Sequence, residues 1–214
     1  IIDIQEGNGF TLDVQKASCL QAKLSDKSAI IEEKLQDKYP PITQERVSDK
    51  TGKRLKDKII IFNPSSRQQI AARLMEQGWK PDKFTPTGHP IVDEGTLKNV
   101  DIPEAQMIAE YLLLNKRTAQ IKSWLELLEE DGKVHGKVLT LKAISGRMAH
   151  FGPNMAQVPA VYSPYGKQCR ACWSSSAPDR VLVGCDASSL ELRCLAHYMK
   201  DDDYTKEVVE GDIH

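Results

Sequence analysis

The stretch Arg180-Val-Leu-Val-Gly-Cys-Asp-Ala-Ser-Ser-Leu-Glu-Leu-Arg193 decides how the rest of the chain is understood. After Arg180 it runs Val-Leu-Val-Gly-Cys185, apolar and β-branched at Val181 and Val183, which predicts a buried strand over Arg180–Cys185. From Ser188 to Met199 the apolar positions Leu192, Leu195 and Met199 recur at helical spacing, so a helix follows. Asp186 falls at the junction. A strand end holds a carboxylate rigidly and suits a metal ligand, although aspartates that merely cap helices occupy the same place. Cys185 and Cys194, among apolar neighbours, read as core residues.

Outward from this junction the charge is unevenly placed. The chain has 214 residues and a net charge of −1, which by itself points to no partner. Between Gly132 and Pro178 there is no Asp or Glu, whereas Lys133, Lys137, Lys142, Arg147, Lys167 and Arg170 all fall inside. From Asp186 onward acids dominate: Glu191, Asp201, Asp202, Asp203, Glu207, Glu210 and Asp212. A basic stretch followed by an acidic one suits a protein that grips a polyanion and holds cations nearby; a solvated surface gives the same pattern. Five cysteines, an odd number, argue against a disulfide scaffold and for a reducing compartment. Cys169 and Cys172 form a CxxC without the second pair a zinc site needs. No apolar run approaches the roughly 18 residues of a membrane span.

The N-terminal part reads as helical. A helix over Val14–Leu35 ends before Tyr39-Pro40-Pro41. Thr43–Lys58, charged and poor in core residues, predicts an exposed loop. Asn63-Pro-Ser-Ser66 is a helix start with Ser65 or Ser66 as cap, and its helix runs through Ile70, Ala71 and Leu74 toward Gly78. A long helix opens on Pro103 and runs to Leu128, with Lys116, Arg117 and Lys122 read as a solvated face. Lys133–Thr140 predicts a strand, and Pro153, Pro159 and Pro164 mark an irregular stretch beyond it. Helices first and strands after give an α+β fold with a helical region over 1–130 and a second region over 131–214.

The octet Asp186–Arg193 resembles the first palm motif of family A DNA polymerases, Asp-x-Ser-x-x-Glu-Leu-Arg, and Cys194-Leu-Ala-His-Tyr-Met199 continues the form seen in phage replicative members. Ser145-Gly-Arg147 and Pro153-Asn-Met-Ala-Gln-Val-Pro159 resemble the family's primer–template segment. Ser163-Pro-Tyr-Gly-Lys-Gln-Cys-Arg170 follows the phage pattern, Asn63-Pro-Ser-Ser-Arg67 resembles a thumb segment, and Gly211-Asp-Ile-His214 resembles the Gly-Asp-x-His that follows the first motif. The resemblance covers nearly the whole chain, in family order. It implies a helical thumb followed by the start of the antiparallel-sheet palm of a right-hand polymerase, without the fingers.

The same resemblance implies a set of roles. Two Mg²⁺ ions would clamp the attacking 3′-oxygen and the departing pyrophosphate, with Asp186 bridging both and the Ala187 carbonyl on the ion that holds the triphosphate. Ser188, Ser189 and Leu190 would lie beneath the triphosphate at a helix start. Glu191 reads either as the far end of a capping box from Ser188 or, as the family implies, as the gate that excludes a 2′-hydroxyl. His214 would face the incoming dNTP. Arg147, Asn154 and Gln157 would touch the minor groove of primer–template DNA, where the acceptors of all base pairs look alike. Ser66, Arg67 and Lys116 would meet the DNA backbone.

Some positions depart from the family pattern. Leu139 replaces a frequent Asn, Lys142 a common Gly, and Tyr162 an Arg near the primer strand. The Thr43–Lys58 segment is too short to be the thumb insertion with which some phage relatives recruit a host thioredoxin, so no such partner is expected. The second metal-binding aspartate and the fingers would lie C-terminal to His214, in cis or in a second chain, and an exonuclease domain would precede Ile1. The chain alone is therefore expected to be inactive, and to work in the cytoplasm of a bacterial host if phage-encoded. Two other readings fit the residues: a non-catalytic DNA-binding module, and one half of a split polymerase.

Overall fold

The protein is described here by a computed structural model covering residues 1–47, 52–175, 177 and 179–211. His214 and the tip of the Thr43–Lys58 segment lie outside the described residues. The chain forms two compact units, 1–176 and 177–214. Among the described residues no helix is long and apolar enough to cross a membrane.

The first unit begins with helix α1 (Ile2–Asn8) and strand β1 (Phe10–Leu12), then enters the long helix α2 (Val14–Lys38). Asp13 starts α2 by accepting a hydrogen bond from the Lys16 amide at 2.9 Å, covering one of the amides that a first turn leaves open. Tyr39-Pro40-Pro41 stops it, since proline supplies no amide donor. Next come strands β2 (Ile42–Val47) and β3 (Arg54–Ile60), paired as an antiparallel hairpin. The exposed loop expected over Thr43–Lys58 is thus exposed, but it is a hairpin. Ladder hydrogen bonds hold it, and with neither face covered by the core it shows no apolar alternation to give it away.

Helices α3 (Arg67–Glu76), α4 (Glu94–Lys98) and α5 (Pro103–Glu126) complete the helical part. Ser66 caps α3 as expected, accepting from the Gln69 amide at 3.4 Å. α2 and α5 pack along their length and share two apolar clusters. One gathers Leu35, Tyr39, Phe62, Ile70, Leu74, Leu97 and Ile108. The other gathers Ala17, Leu24, Leu114, Ile121, Trp124, Val134, Cys169 and Cys172. Between Leu24 and Leu35 the Ser28 hydroxyl donates to Asn115 Oδ1 at 2.7 Å, a polar tie in an otherwise apolar seam.

Short strands follow: β4 (Lys133–Val134), β5 (Lys137–Leu139) and β6 (Ala149–Phe151), then a 3₁₀ turn (Met155–Gln157), helix α6 (Gly166–Arg170) and β7 (Trp173–Ser174). The strand expected over Lys133–Thr140 is broken in two, because Val134 pairs with Phe10 while Val138 pairs with His150. β4, β1 and β7 form one antiparallel sheet, backed by Trp173 edge-on to Trp124 with ring centres 5.0 Å apart. The buried Cys169 and Cys172 thiols lie beneath α5, and burial pushes the Cys172 thiol up to about 11.

The second unit holds helices α7 (Leu190–Met199) and α8 (Asp202–Glu210), which pack on each other, with Asp201 capping α8. The buried strand expected over Arg180–Cys185 does not form: the segment is irregular and exposed, with Val183 86% accessible. Its composition suits a strand, but among the described residues no neighbouring strand offers its amides a ladder, and a strand without a partner is not a strand. Cys185 and Cys194, expected in a core, are exposed.

His135, after β4, fastens α1 to the sheet. Its Nδ1 lies 2.7 Å from the Glu6 carbonyl and its Nε2 lies 3.1 Å from Asp131 Oδ2. Both partners are acceptors, so the imidazolium with two N–H donors fits best. The Glu6 carbonyl foremost, then Asp131, raises the His135 pKa. A raised folded value means the tie is at full strength below the unfolded value of about 6.5 and is lost as pH rises through the folded value. Protection factors of the α1 amides, with the intrinsic base catalysis of exchange divided out, should therefore fall across that window, and His135→Phe should abolish that fall.

Candidate nucleic-acid interface

One wall of a groove in the first unit is α5, where Leu114, Arg117, Ile121 and Trp124 share a helical stripe. Arg117 is the one charged residue of that stripe and is only 8% exposed. Its Nε donates to the Pro164 carbonyl at 3.3 Å and its Nη1 to Gln120 Oε1 at 3.5 Å. Among the described residues no carboxylate pairs with it. A buried cation without an anion is costly unless something supplies the missing charge.

The facing wall is the segment from Pro153 to Arg170. Gln120 Nε2 donates to the Gln157 carbonyl at 2.7 Å, and Arg170 Nε to the Pro159 carbonyl at 2.8 Å, so side-chain donors rather than a sheet ladder hold this irregular stretch. The groove between the walls has a volume of about 920 Å³, and its lining includes Lys116, Arg117, Arg170, Asn154 and Gln157 but no Asp or Glu. Asn154 Oδ1 is buried without a hydrogen-bond partner. An unsatisfied acceptor in a cationic, acid-free groove is a place for a ligand donor. Lys116 also borders a second recess of about 480 Å³ with Arg67.

Three of the six residues expected to meet DNA, namely Lys116, Asn154 and Gln157, therefore share one groove, and Lys116 joins Arg67 in the neighbouring recess. Ser66 and Arg67 also have structural work: Ser66 caps α3, and Arg67 Nη1 donates to the Val92 carbonyl. Arg147 lies on the exposed turn between β5 and β6 and does not line the groove. The solvated face expected of Lys116, Arg117 and Lys122 holds for Lys116 and Lys122 but not for Arg117, which the apolar stripe carries inward. Sequence reasoning missed Arg117, Gln120, Arg170 and Tyr162 as groove residues. The signal for Arg117 was its position on the stripe.

In the second unit, Asp186, Ala187 and Ser188 are exposed, Asp186 and Ala187 in irregular backbone and Ser188 in the turn that leads into α7. Ser189 takes a left-handed conformation, φ 51°, and is the N-cap of α7 without a side-chain cap bond. The capping box expected from Ser188 to Glu191 is not formed. The left-handed Ser189 starts the helix one residue late, and the Ser188 carbonyl instead accepts from Arg193 Nε at 2.9 Å. Glu191 stands in the first turn, near the positive end of the helix. Among the described residues no three His, Cys, Asp or Glu side chains are grouped to hold a metal.

The model of DNA polymerase family A matches residues 32–214. The chain is 46% identical over 175 residues to the DNA-directed DNA polymerase of Enterobacteria phage T3, covering 72% of this chain and 25% of that protein. It is 45% identical to the DNA-directed DNA polymerase of Escherichia phage T7 with the same coverage. It is 31% identical to DNA polymerase I of Helicobacter pylori, with 72% and 17% covered. The chain thus spans about a quarter of the length of the phage relatives. Its fold is similar to the polymerase domain of Pol1 from M. smegmatis, solved in complex with DNA primer–template and dNTP. The TM-score is 0.75 at 20% identity, covering 99% of this chain and 35% of that one.

Arg117 ties α5 to the facing wall through a charged donor, so Arg117→Ala should cost about 1.5–3 kcal/mol of stability. Urea unfolding of the first unit checks this, and exchange of the amides from 159 to 165 should rise with it.

Proposed function

The chain belongs to DNA polymerase family A, and on that premise we propose that it binds primer–template DNA and supplies part of the active site of a DNA-directed DNA polymerase. In this reading 1–130 is the thumb-like region and 131–214 the first part of the palm. The observation that carries it is the acid-free groove of Lys116, Arg117, Arg170, Asn154 and Gln157. Lys116 and Arg67 neutralise phosphates. Asn154 and Gln157 offer amides to minor-groove acceptors common to all base pairs, which suits binding without sequence preference. Arg147 adds a cation from the turn beyond the groove.

Asp186 would serve the catalytic centre, with the Ala187 carbonyl beside it. Both are hard oxygen donors of the kind Mg²⁺ takes. The described residues alone do not suit a magnesium pair, because among them no three His, Cys, Asp or Glu side chains are grouped to hold a metal. No step of nucleotidyl transfer is assigned to them, and the chain by itself should be inactive. At the start of α7 the positive φ of Ser189 and the absence of a side-chain cap leave amides open, which supports a dNTP phosphate over Ser188, Ser189 and Leu190. His214 would complete the nucleotide contacts and Glu191 the sugar gate. The reading carries with it action in the cytoplasm, of a bacterial host if the gene is a phage's, and no thioredoxin-type partner.

A second reading, a DNA-binding module without chemistry, is favoured by the exposed and ungrouped Asp186. The two part on Glu191→Ala in a polymerase completed by the rest of the palm and fingers, in cis or as a second chain. Ribonucleotide incorporation should rise, or dNTP use fall; a change confined to melting temperature favours the module.

Primer–template binding by the chain itself, followed by fluorescence anisotropy at a series of salt concentrations, tests the groove. Affinity should fall steeply with salt, and Lys116→Ala should lower the slope of log K against log salt by about 1. Salt-independent binding, or no binding, sinks the reading.

A further inference from the structure

We propose that Tyr162 is a stacking platform for an unpaired nucleobase, whose adjoining phosphate is received by the cations of the groove. The inference rests on the groove being a nucleic-acid site and adds the kind of strand it takes.

Tyr162 lines the groove and is 95% exposed. Among the described residues no ring or cation packs on its face. An exposed tyrosine alone would mean little. Its backbone, however, is held from several directions. The Ser163 amide and hydroxyl both donate to the Ala160 carbonyl, at 3.0 and 2.7 Å, and the Gly166 amide donates to the Ser163 carbonyl at 2.8 Å. A Cβ at Gly166 would stand 1.7 Å from the Ala160 oxygen, so the turn closes only around glycine. Arg170 holds Pro159 on one side and Arg117 holds Pro164 on the other. A bare aromatic face on a fixed turn costs little ordering when a partner stacks on it.

The surroundings select the partner. Lys116, Arg117 and Arg170 make the groove cationic, with no acid among its lining residues, which favours a phosphate chain. The buried Asn154 Oδ1 lacks a donor, and exocyclic base amines are donors. Inside a duplex each base face is covered by its neighbours, so it is an unstacked base that can lie on Tyr162. Cations that track a backbone beside an open ring are the makings of a single-strand site.

Anisotropy with a labelled oligodeoxycytidylate, whose bases carry the exocyclic amine, and, separately, a duplex closed by hairpin loops at both ends tests this on the chain as it stands. Tyr162→Ala should weaken single-strand binding about tenfold, Tyr162→Phe should leave it unchanged, and the closed duplex should shift less than twofold. Lys116→Ala should weaken both ligands. If Tyr162→Ala leaves single-strand binding unchanged, or weakens the duplex equally, stacking is overturned while the groove stands. If Lys116→Ala moves neither ligand, the groove reading itself has failed. The ring is exposed, so Tyr162→Ala should melt as the parent does, which separates lost stacking from lost folding.

Discussion

Everything in the first unit leans on the packing of α2 against α5. Their seam holds both apolar clusters, and each attached element borrows burial from it: α3 and α4 at one end, the three-stranded sheet and α6 at the other. Short strands of two or three residues have little stability of their own. They persist because Val134 and Leu12 sit in the cluster that Leu24, Ile121 and Trp124 dominate. The groove inherits this dependence, for one of its walls is α5 itself, with Trp124 shared between groove and core, and the other wall is stitched to α5 by side chains.

The stitching explains why an irregular segment can serve as a binding wall. The stretch from Pro153 to Arg170 has almost no backbone ladder, yet Gln120, Arg117 and Arg170 each occupy one of its carbonyls. Arg117 therefore does two things at once. It anchors the wall through Nε, and it leaves a guanidinium with no acid partner at the groove floor. A buried cation of that kind trades stability for affinity toward an anion, which is a common compromise at binding sites.

Much of this was legible in the sequence where the signal is local. Both long helices, the Ser66 cap and the stop at Pro40-Pro41 follow from periodicity and from the chemistry of caps and proline. What failed depends on partners distant in the chain. The β2–β3 hairpin has neither face covered, so burial wrote no alternation into it. The Lys133–Thr140 stretch looks like one strand but divides between two partners. Val181-Leu182-Val183 has the composition of a buried strand, and composition cannot say whether a neighbour exists. At the site, Asn154 and Gln157, picked out by the motif that holds them, and Lys116, picked out on the long helix, line one groove. Arg117 was hidden by being counted with its neighbours Lys116 and Lys122 rather than with Leu114, Ile121 and Trp124, with which it is in phase.

The exposed segment after Arg180 has a practical side. Val181, Leu182 and Val183 are exposed β-branched or aliphatic residues of the kind that recruits a second strand from solution, including one from another copy of the chain. Its flanking charges, Asp179 and Arg180 before it and Asp186 after it, act as gatekeepers that discourage such stacking at either end. Asp186 thus sits where its charge also guards solubility, so neutralising it would bring stickiness.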